Sequence, residues 1–241
     1  MHEFVNLVTH PQLMRILAIG DLHGRVLWQQ VNVNDYDQVI FIGDYTDSYV
    51  YDNAHIYENL KKIIRLKKQQ PNRVSLLLGN HDAQYLHFPR YRCSGFRPEA
   101  QRQLTVLFKK NQDLFAVAHQ EGNYLFTHAG VSGAWLADAQ ARRVLPNGPD
   151  DRLADQLNHL HADPKRQHIL FEVGPVRGGY DSFSGPTWAD RAETRDDYLP
   201  GYHQVVGHTP ISDITTFGDA RSSITYIDVT ETREEFFEIT L

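Results

Sequence analysis

Five short blocks in this sequence bring together side chains that bind metal ions: GDLHG (Gly20–Gly24), GDYTD (Gly43–Asp47), GNHD (Gly79–Asp82), THAG (Thr127–Gly130) and GHTP (Gly207–Pro210). They present Asp21 and His23, Asp44 and Asp47, Asn80, His81 and Asp82, then His128 and His208. Carboxylate, amide and imidazole donors without thiolate suit Mn, Fe, Zn or Ni better than Ca or Mg. One carboxylate can bridge two ions about 3.5–4 Å apart, and such a pair clamps the attacking and leaving oxygens of a displacement at phosphorus. Each block alone is weak, because Asn and Asp favour turns. The glycines matter too: they let the backbone turn tightly and let a ligand approach closely.

The blocks sit at the ends of apolar runs. Arg15–Ile19, Gln38–Ile42, Val74–Leu78, Tyr124–Thr127 and Gln204–Val206 each stop at one of the five, and Thr225–Val229 is a sixth run. Their lengths and β-rich composition predict strands, and continuous apolar runs predict burial on both faces. Ligands bind outside the carboxyl ends of strands in open α/β sheets. Asn53–Gln69 predicts an amphipathic helix with Ile56, Leu60, Ile63, Ile64 and Leu66 inward and a solvated lysine face. Pro98–Phe108 predicts another. The polar stretch from about 133 to 186 has weak periodicity and predicts a loop-rich or helical cap-like insertion beside the site.

Bulk properties bound the rest. The 241 residues are 41% hydrophobic and 22% charged, enough for one domain over 1–241 with a sizeable core. The formal charge of −6 argues against nucleic acid as a partner. A single cysteine, Cys93, permits no intramolecular disulfide and fits a reducing compartment. Met1–Thr9 carries His2 and Glu3 where a signal peptide has basic residues, and no window is long enough to span a membrane. A cytoplasmic protein is expected. The sequence does not set the oligomeric state.

In their order and spacing the five blocks resemble the calcineurin-like metallophosphoesterase superfamily. GDLHG, THAG, GHTP and the later TYID (Thr225–Asp228) resemble its phosphoprotein phosphatase branch, particularly the bacterial and bacteriophage lambda-type enzymes. The resemblance implies an α/β fold of two mixed β-sheets packed as a sandwich and flanked by helices. It implies two divalent ions, manganese first, with Asp21 and His23 on one, Asn80, His128 and His208 on the other, and Asp44 between. It implies His81 as the unligated general acid, Asp47 as the group that orients it, and a metal-bridging hydroxide that attacks phosphorus. Chemistry agrees with these roles: histidine can protonate a leaving alkoxide near neutral pH, and a carboxylate partner fixes its tautomer. The expected activity is hydrolysis of a phosphate monoester on a peptide, protein or small molecule. The alternatives are a nucleotide hydrolase, acting on dinucleoside polyphosphates or cyclic phosphodiesters, and a non-catalytic scaffold of the same fold.

The sequence departs from that branch at Ser48, where the second block usually carries a phosphate-gripping arginine that serine cannot replace. Arg191, just after Trp188, and Arg177, between small residues, are the candidate substitutes, with Arg25 behind. Pro210 stands where relatives outside the branch carry a further histidine ligand. Asp82 is expected to hydrogen-bond nearby backbone, Trp188 and Cys93 to pack. His10, His55, His87, His119, His159, His161 and His168 match no block and are expected on the surface or in loops.

Overall fold

The computed structural model of the protein describes residues 13–146 and 152–241. The readings of Met1–Thr9 and His10 fall outside the described residues, as does 147–151 within the segment expected as a cap.

Each of the six apolar runs overlaps a strand, the sixth only at Thr225 and Tyr226, and four more strands complete two sheets. In chain order they are β1 (Arg15–Ile19), β2 (Gln38–Phe41), β3 (Val74–Leu77), β4 (Phe115–Ala116) and β5 (Ala118–Glu121), then β6 (Tyr124–Thr127), β7 (His203–Val206), β8 (Thr215–Gly218), β9 (Ser223–Tyr226) and β10 (Phe237–Thr240). The first sheet runs β10-β1-β2-β3-β4, parallel except for β10 against β1. The second runs β5-β6-β7-β9-β8, with β6, β7 and β9 parallel and an antiparallel strand at each edge. Both sheets are therefore mixed, as expected.

The period of two explains the layers. Ile16, Ala18, Ile40 and Leu77 from the first sheet cluster with Phe126 and Val205 from the second, which makes the inner layer of a sandwich. Their neighbours Leu17, Ile19, Val39, Phe41 and Leu76 face the other way and join helix side chains. The helices are α1 (Asn53–Gln69), α2 (Asn80–Leu86), α3 (Pro98–Lys110), α4 (Gly133–Ala141), α5 (Leu153–His161) and α6 (Arg191–Thr194). Helix α1 begins where the Asp52 side chain accepts the His55 N–H at 2.8 Å, and it buries Ile56, Leu60, Ile63 and Ile64. Each such side chain contributes roughly 1.5–3 kcal/mol on burial. Lys67 and Lys68 close its last turn, where cations suit the helix dipole. Between 133 and 186, α4 and α5 bury Trp135, Ala139, Leu153 and Leu157 in the main core.

Four histidines expected on the surface are half-buried instead. His55 bonds the Gly24 carbonyl at 2.8 Å and stacks on Tyr51, His119 lies in β5, and His87 and His161 meet edge to face at 5.6 Å. Each ring covers apolar surface that its helix or strand must bury. His159 and His168 are exposed as expected. Among the described residues no helix is long and apolar enough to cross a membrane.

Candidate metal centre

Parallel strands β1, β2, β3, β6 and β7 end at one rim of the sandwich, and each is followed by one of the polar blocks. Asp21, Asp44, Asn80, His128 and His208 are buried there. His23 and His81 are partly accessible, and their rings lie 5.0 Å apart. The structure thus brings together the six residues expected as ligands and the expected acid.

Hydrogen bonding fixes which atom each ligand offers. The His128 Nδ1–H donates to the Ile42 carbonyl at 3.1 Å, which leaves a lone pair on Nε2. That Nε2 lies 3.0 Å from Asn80 Oδ1, 3.2 Å from His208 Nδ1 and 3.5 Å from Asp44 Oδ2. Asn80 Oδ1, Asp44 Oδ2 and His128 Nε2 therefore offer lone pairs at one point, and His208 Nδ1 joins them in the tautomer that carries its hydrogen on Nε2, an atom with no partner among the described residues. Lone pairs that close repel one another, and a cation is the species that makes the arrangement favourable. On the other side of Asp44, the His23 Nδ1–H donates to the Thr46 carbonyl at 2.9 Å, and its Nε2 sits 3.7 Å from Asp44 Oδ2. Asp21 is held beside it by the His208 N–H, 3.1 Å from each carboxylate oxygen. Two groups, His23–Asp44–His81 and Asp44–His128–His208, meet at Asp44 with their ligand atoms within 4.8 Å of one another. The donor types fit divalent ions on both sides of Asp44, although Asp21, expected as a ligand on the His23 side, lies outside that 4.8 Å cluster and His81 stands within it.

The backbone is bent to achieve this. Among the described residues six other than glycine have positive φ, and four of them are His23 (45°), Asp44 (51°), Asp47 (55°) and His208 (65°). Each costs of order 1–3 kcal/mol and persists only where its surroundings hold it, a pattern typical of functional sites. Asp82 supplies part of that hold: its carboxylate accepts the N–H groups of Tyr45 at 3.0 Å and Gly79 at 3.1 Å, which ties the second block to α2. Two glycines make the close approaches possible. A Cβ on Gly79 would fall 1.9 Å from Asp44 Oδ1, and one on Gly207 would fall 2.1 Å from Asp21 Oδ1.

Electrostatics agree with ligand roles. Burial first, then the neighbouring His81, pushes the His128 imidazole down; burial, His128 and Arg177 push His208 well down, so both are neutral and able to coordinate. Burial opposes ionisation of Asp44, yet its carboxyl is held below the ordinary range by those surrounding imidazoles that carry charge, and His81 is the one raised to do so. Burial and the Asp228 and Asp44 charges push Asp21 well above it. His81 is the exception among the imidazoles. Burial opposes its charge, yet the Asp44 carboxylate and the 2.9 Å bond between its Nδ1 and Asp47 Oδ2 push it up to about 12. A cation at Asp44 cancels part of that rise, and the Asp47 bond remains.

The blocks did not flag Asp228, which lines the same pocket as His23, Asp44 and His208. Burial, Asp44 and Glu231 push it up to about 7. Its signal was the TYID run at the end of β9. In the unfolded chain this carboxyl ionises near its ordinary value of about 4. Between there and about 7 the folded, metal-free protein holds a proton that the unfolded chain has lost, so stability falls as pH rises. Asp228→Asn should therefore raise the Tm of metal-free protein at pH 7 and leave it unchanged at pH 4. Differential scanning calorimetry at the two pH values checks this.

The candidate arginines separate. Arg177 lines the metal pocket, pairs with Asp190 Oδ2 at 2.8 Å, and donates from Nη2 to Thr209 Oγ1 at 2.6 Å. Arg191 does not line it; its guanidinium lies 5.1 Å from the Phe217 ring centre and 5.6 Å from that of Tyr226. Arg25 pairs with Glu231 at 3.3 Å, at the pocket's edge. Trp188 lines the pocket with its ring 5.7 Å from His208. The pocket holds about 160 Å³. A larger cavity of about 880 Å³ opens between the C-terminal ends of α2, α3 and α5 and contains none of the strand-end residues. The small pocket is the one with chemistry.

The calcineurin-like phosphoesterase family matches residues 14–212 of this chain. No sequence among curated proteins matches it. Among solved structures, a cold-active protein-tyrosine phosphatase of a psychrophilic Shewanella species superposes with a TM-score of 0.57 at 17% identity, over 91% of this chain and 72% of its own. A protein serine/threonine phosphatase from Saccharomyces cerevisiae, with similarity to human phosphatase PP5, gives 0.50 at 14% identity, over 95% and 79%. At these identities the structural likeness is one of fold.

Proposed function

The chain belongs to the calcineurin-like phosphoesterase family, and from that premise we propose that it hydrolyses phosphate monoesters at a centre of two divalent ions, manganese first among them. The convergence of His128 Nε2, His208 Nδ1, Asn80 Oδ1 and Asp44 Oδ2, with His81 bonded to Asp47 alongside, carries this reading. Asp21, His23 and Asp44 would hold one ion, and Asp44, Asn80, His128 and His208 the other. When bound, the ions supply Lewis acidity toward the phosphoryl oxygens and a nucleophile at neutral pH.

The chain's own residues do the rest. His81 keeps Nδ1 on Asp47, so Nε2 is the atom that gives a proton to the leaving oxygen. Arg177 uses Nε and Nη2 on Asp190 and Thr209, and its Nη1 has no partner among the described residues. We assign to that nitrogen the binding of a phosphate oxygen, the task Ser48 cannot perform, because Arg177 lines the pocket. Arg177→Ala should lower kcat/KM by roughly 10- to 100-fold, the worth of one charge-assisted contact, while Arg191→Ala leaves it unchanged. Steady-state kinetics on p-nitrophenyl phosphate decide between the two.

A protein substrate is the finer reading. Tyr49 and Val50 follow Asp47 and are 92% and 76% exposed, and Tyr180, three residues after Arg177, is fully exposed. Exposed apolar side chains a few residues along the chain from the site suit a ligand that extends beyond the pocket. The manganese-loaded protein should be assayed on a phosphopeptide, p-nitrophenyl phosphate and its diester, a cyclic nucleotide and a dinucleoside polyphosphate. The monoesters should be turned over fastest. Dominant cleavage of the diester, cyclic nucleotide or polyphosphate would overturn the monoester reading in favour of a nucleotide hydrolase.

A further inference from the structure

We propose that Gln84 and Tyr85 are positioning residues that hold the general acid His81 in register through Asp47. The inference rests on the phosphoesterase reading above and adds two residues to it.

The geometry is closed on every side. Asp47 Oδ2 receives both His81 Nδ1, at 2.9 Å, and the Gln84 Nε2–H. Asp47 Oδ1 receives the Tyr85 hydroxyl. Both carboxylate oxygens are therefore committed, and the carboxylate cannot rotate without breaking a bond. Each supporting side chain is fixed at its far end as well. The Cys93 N–H donates to Gln84 Oε1 at 3.1 Å, and the Arg97 N–H donates to the Tyr85 hydroxyl oxygen at 2.9 Å. Gln84 and Tyr85 are completely buried, where an unmet polar group is costly. Such a doubly anchored network specifies one arrangement.

Helical spacing explains why two consecutive residues serve one carboxylate. His81, Gln84 and Tyr85 are i, i+3 and i+4 on α2, so they share a face one turn apart. The same helix presents the His81 N–H to Asp44 Oδ1 at 3.0 Å, which registers the acid against the metal ligands. Asp47 comes from a different element and sits at φ 55°, a conformation that needs outside support. Gln84 and Tyr85 give that support. Proton delivery is sensitive to this, because small misplacements of reacting groups cost large factors in rate.

Gln84→Met and Tyr85→Phe each remove a donor to Asp47 at nearly constant volume. Hydrolysis of a series of phosphate monoesters reads the result. 2,4-Dinitrophenyl phosphate, whose leaving group needs no proton, should be hydrolysed at the wild-type rate. Phenyl and alkyl phosphates should slow by roughly tenfold or more, a fraction of what a general acid contributes. KM and bound manganese should not change. Equal slowing across the series, or none, would overturn the proposal, since a merely structural residue moves all substrates together. A second reading needs no turnover: the His81 Nδ1–H proton resonance should be sharp in the wild type and broadened or lost in both variants. An unchanged resonance would sink the proposal. A wild type that hydrolyses no ester but shows this loss would refute the phosphoesterase reading and leave the positioning role standing.

Discussion

His81→Ala is expected to lower kcat on an aryl phosphate by roughly 10²- to 10⁴-fold, the usual contribution of a positioned proton donor. The ion on the His128 side should stay bound and KM should change little. Every part of that expectation has a source in the geometry. The imidazole is outside the convergent acceptor set at His128, so removing it takes away no ligand from that side. It is charged by its surroundings: Asp44 and Asp47 outweigh burial and push it up to about 12 in the metal-free protein. Its Nδ1 is engaged by Asp47, which leaves one nitrogen for substrate. The removal of this partly accessible imidazole also leaves Asp47 with Gln84 and Tyr85 as its remaining donors, so the fold should survive. Metal content and kcat measured on the same preparation check both halves of the expectation. An unchanged kcat would remove His81 from the reaction.

Asp44→Asn is expected to have the larger effect, because it strikes both ions at once. Asp44 is 2% exposed and is the one residue shared by the two groups of potential ligands. Replacing an outer partner of a ligand typically costs 10- to 100-fold in metal affinity; replacing the shared ligand should cost more than about 100-fold on the same scale. An amide would also present a hydrogen-bond donor to His128 Nε2 and His23 Nε2, both of which offer lone pairs. That can close the site without ions, so Asp44→Asn should lose metal and activity yet keep its Tm in chelator. Inductively coupled plasma mass spectrometry after dialysis gives the content directly, and retention of both ions would contradict the bridging role.

Much of this was legible in the sequence, for identifiable reasons. The inner strands β1, β2, β3, β6, β7 and β9 are largely buried on both faces, and each overlaps a short run dominated by apolar and β-branched residues. The strands that were not legible are β4, β5, β8 and β10, and all four are sheet edges. Edges are half-covered, so AHQE, TTFG and FEIT mix polar with apolar residues and carry no run. Helix α2 was hidden because it is seven residues long and starts inside GNHD, which reads as a turn. Gln84 and Tyr85 were hidden with it, since their spacing from His81 means something only on a helix.

The residues that gather around Asp44 were legible because their blocks combine donor types with glycine. Arg177 and Arg191 could not be told apart on that basis. Proximity to a motif says nothing of which way a long side chain turns, and Arg191 is drawn over Phe217 and Tyr226. Asp228 was visible only as part of TYID; its relation to Asp44 depends on two sheets meeting across the sandwich.

In the proposed function, two ions on either side of Asp44 make this chain a phosphoesterase. The most direct test strips the protein with chelator and titrates manganese back, following p-nitrophenyl phosphate hydrolysis against ions bound per chain. No hydrolysis is expected without metal, and full activity only as the second ion binds. Full activity at one ion per chain, or none on any phosphate ester at saturating manganese, would contradict it.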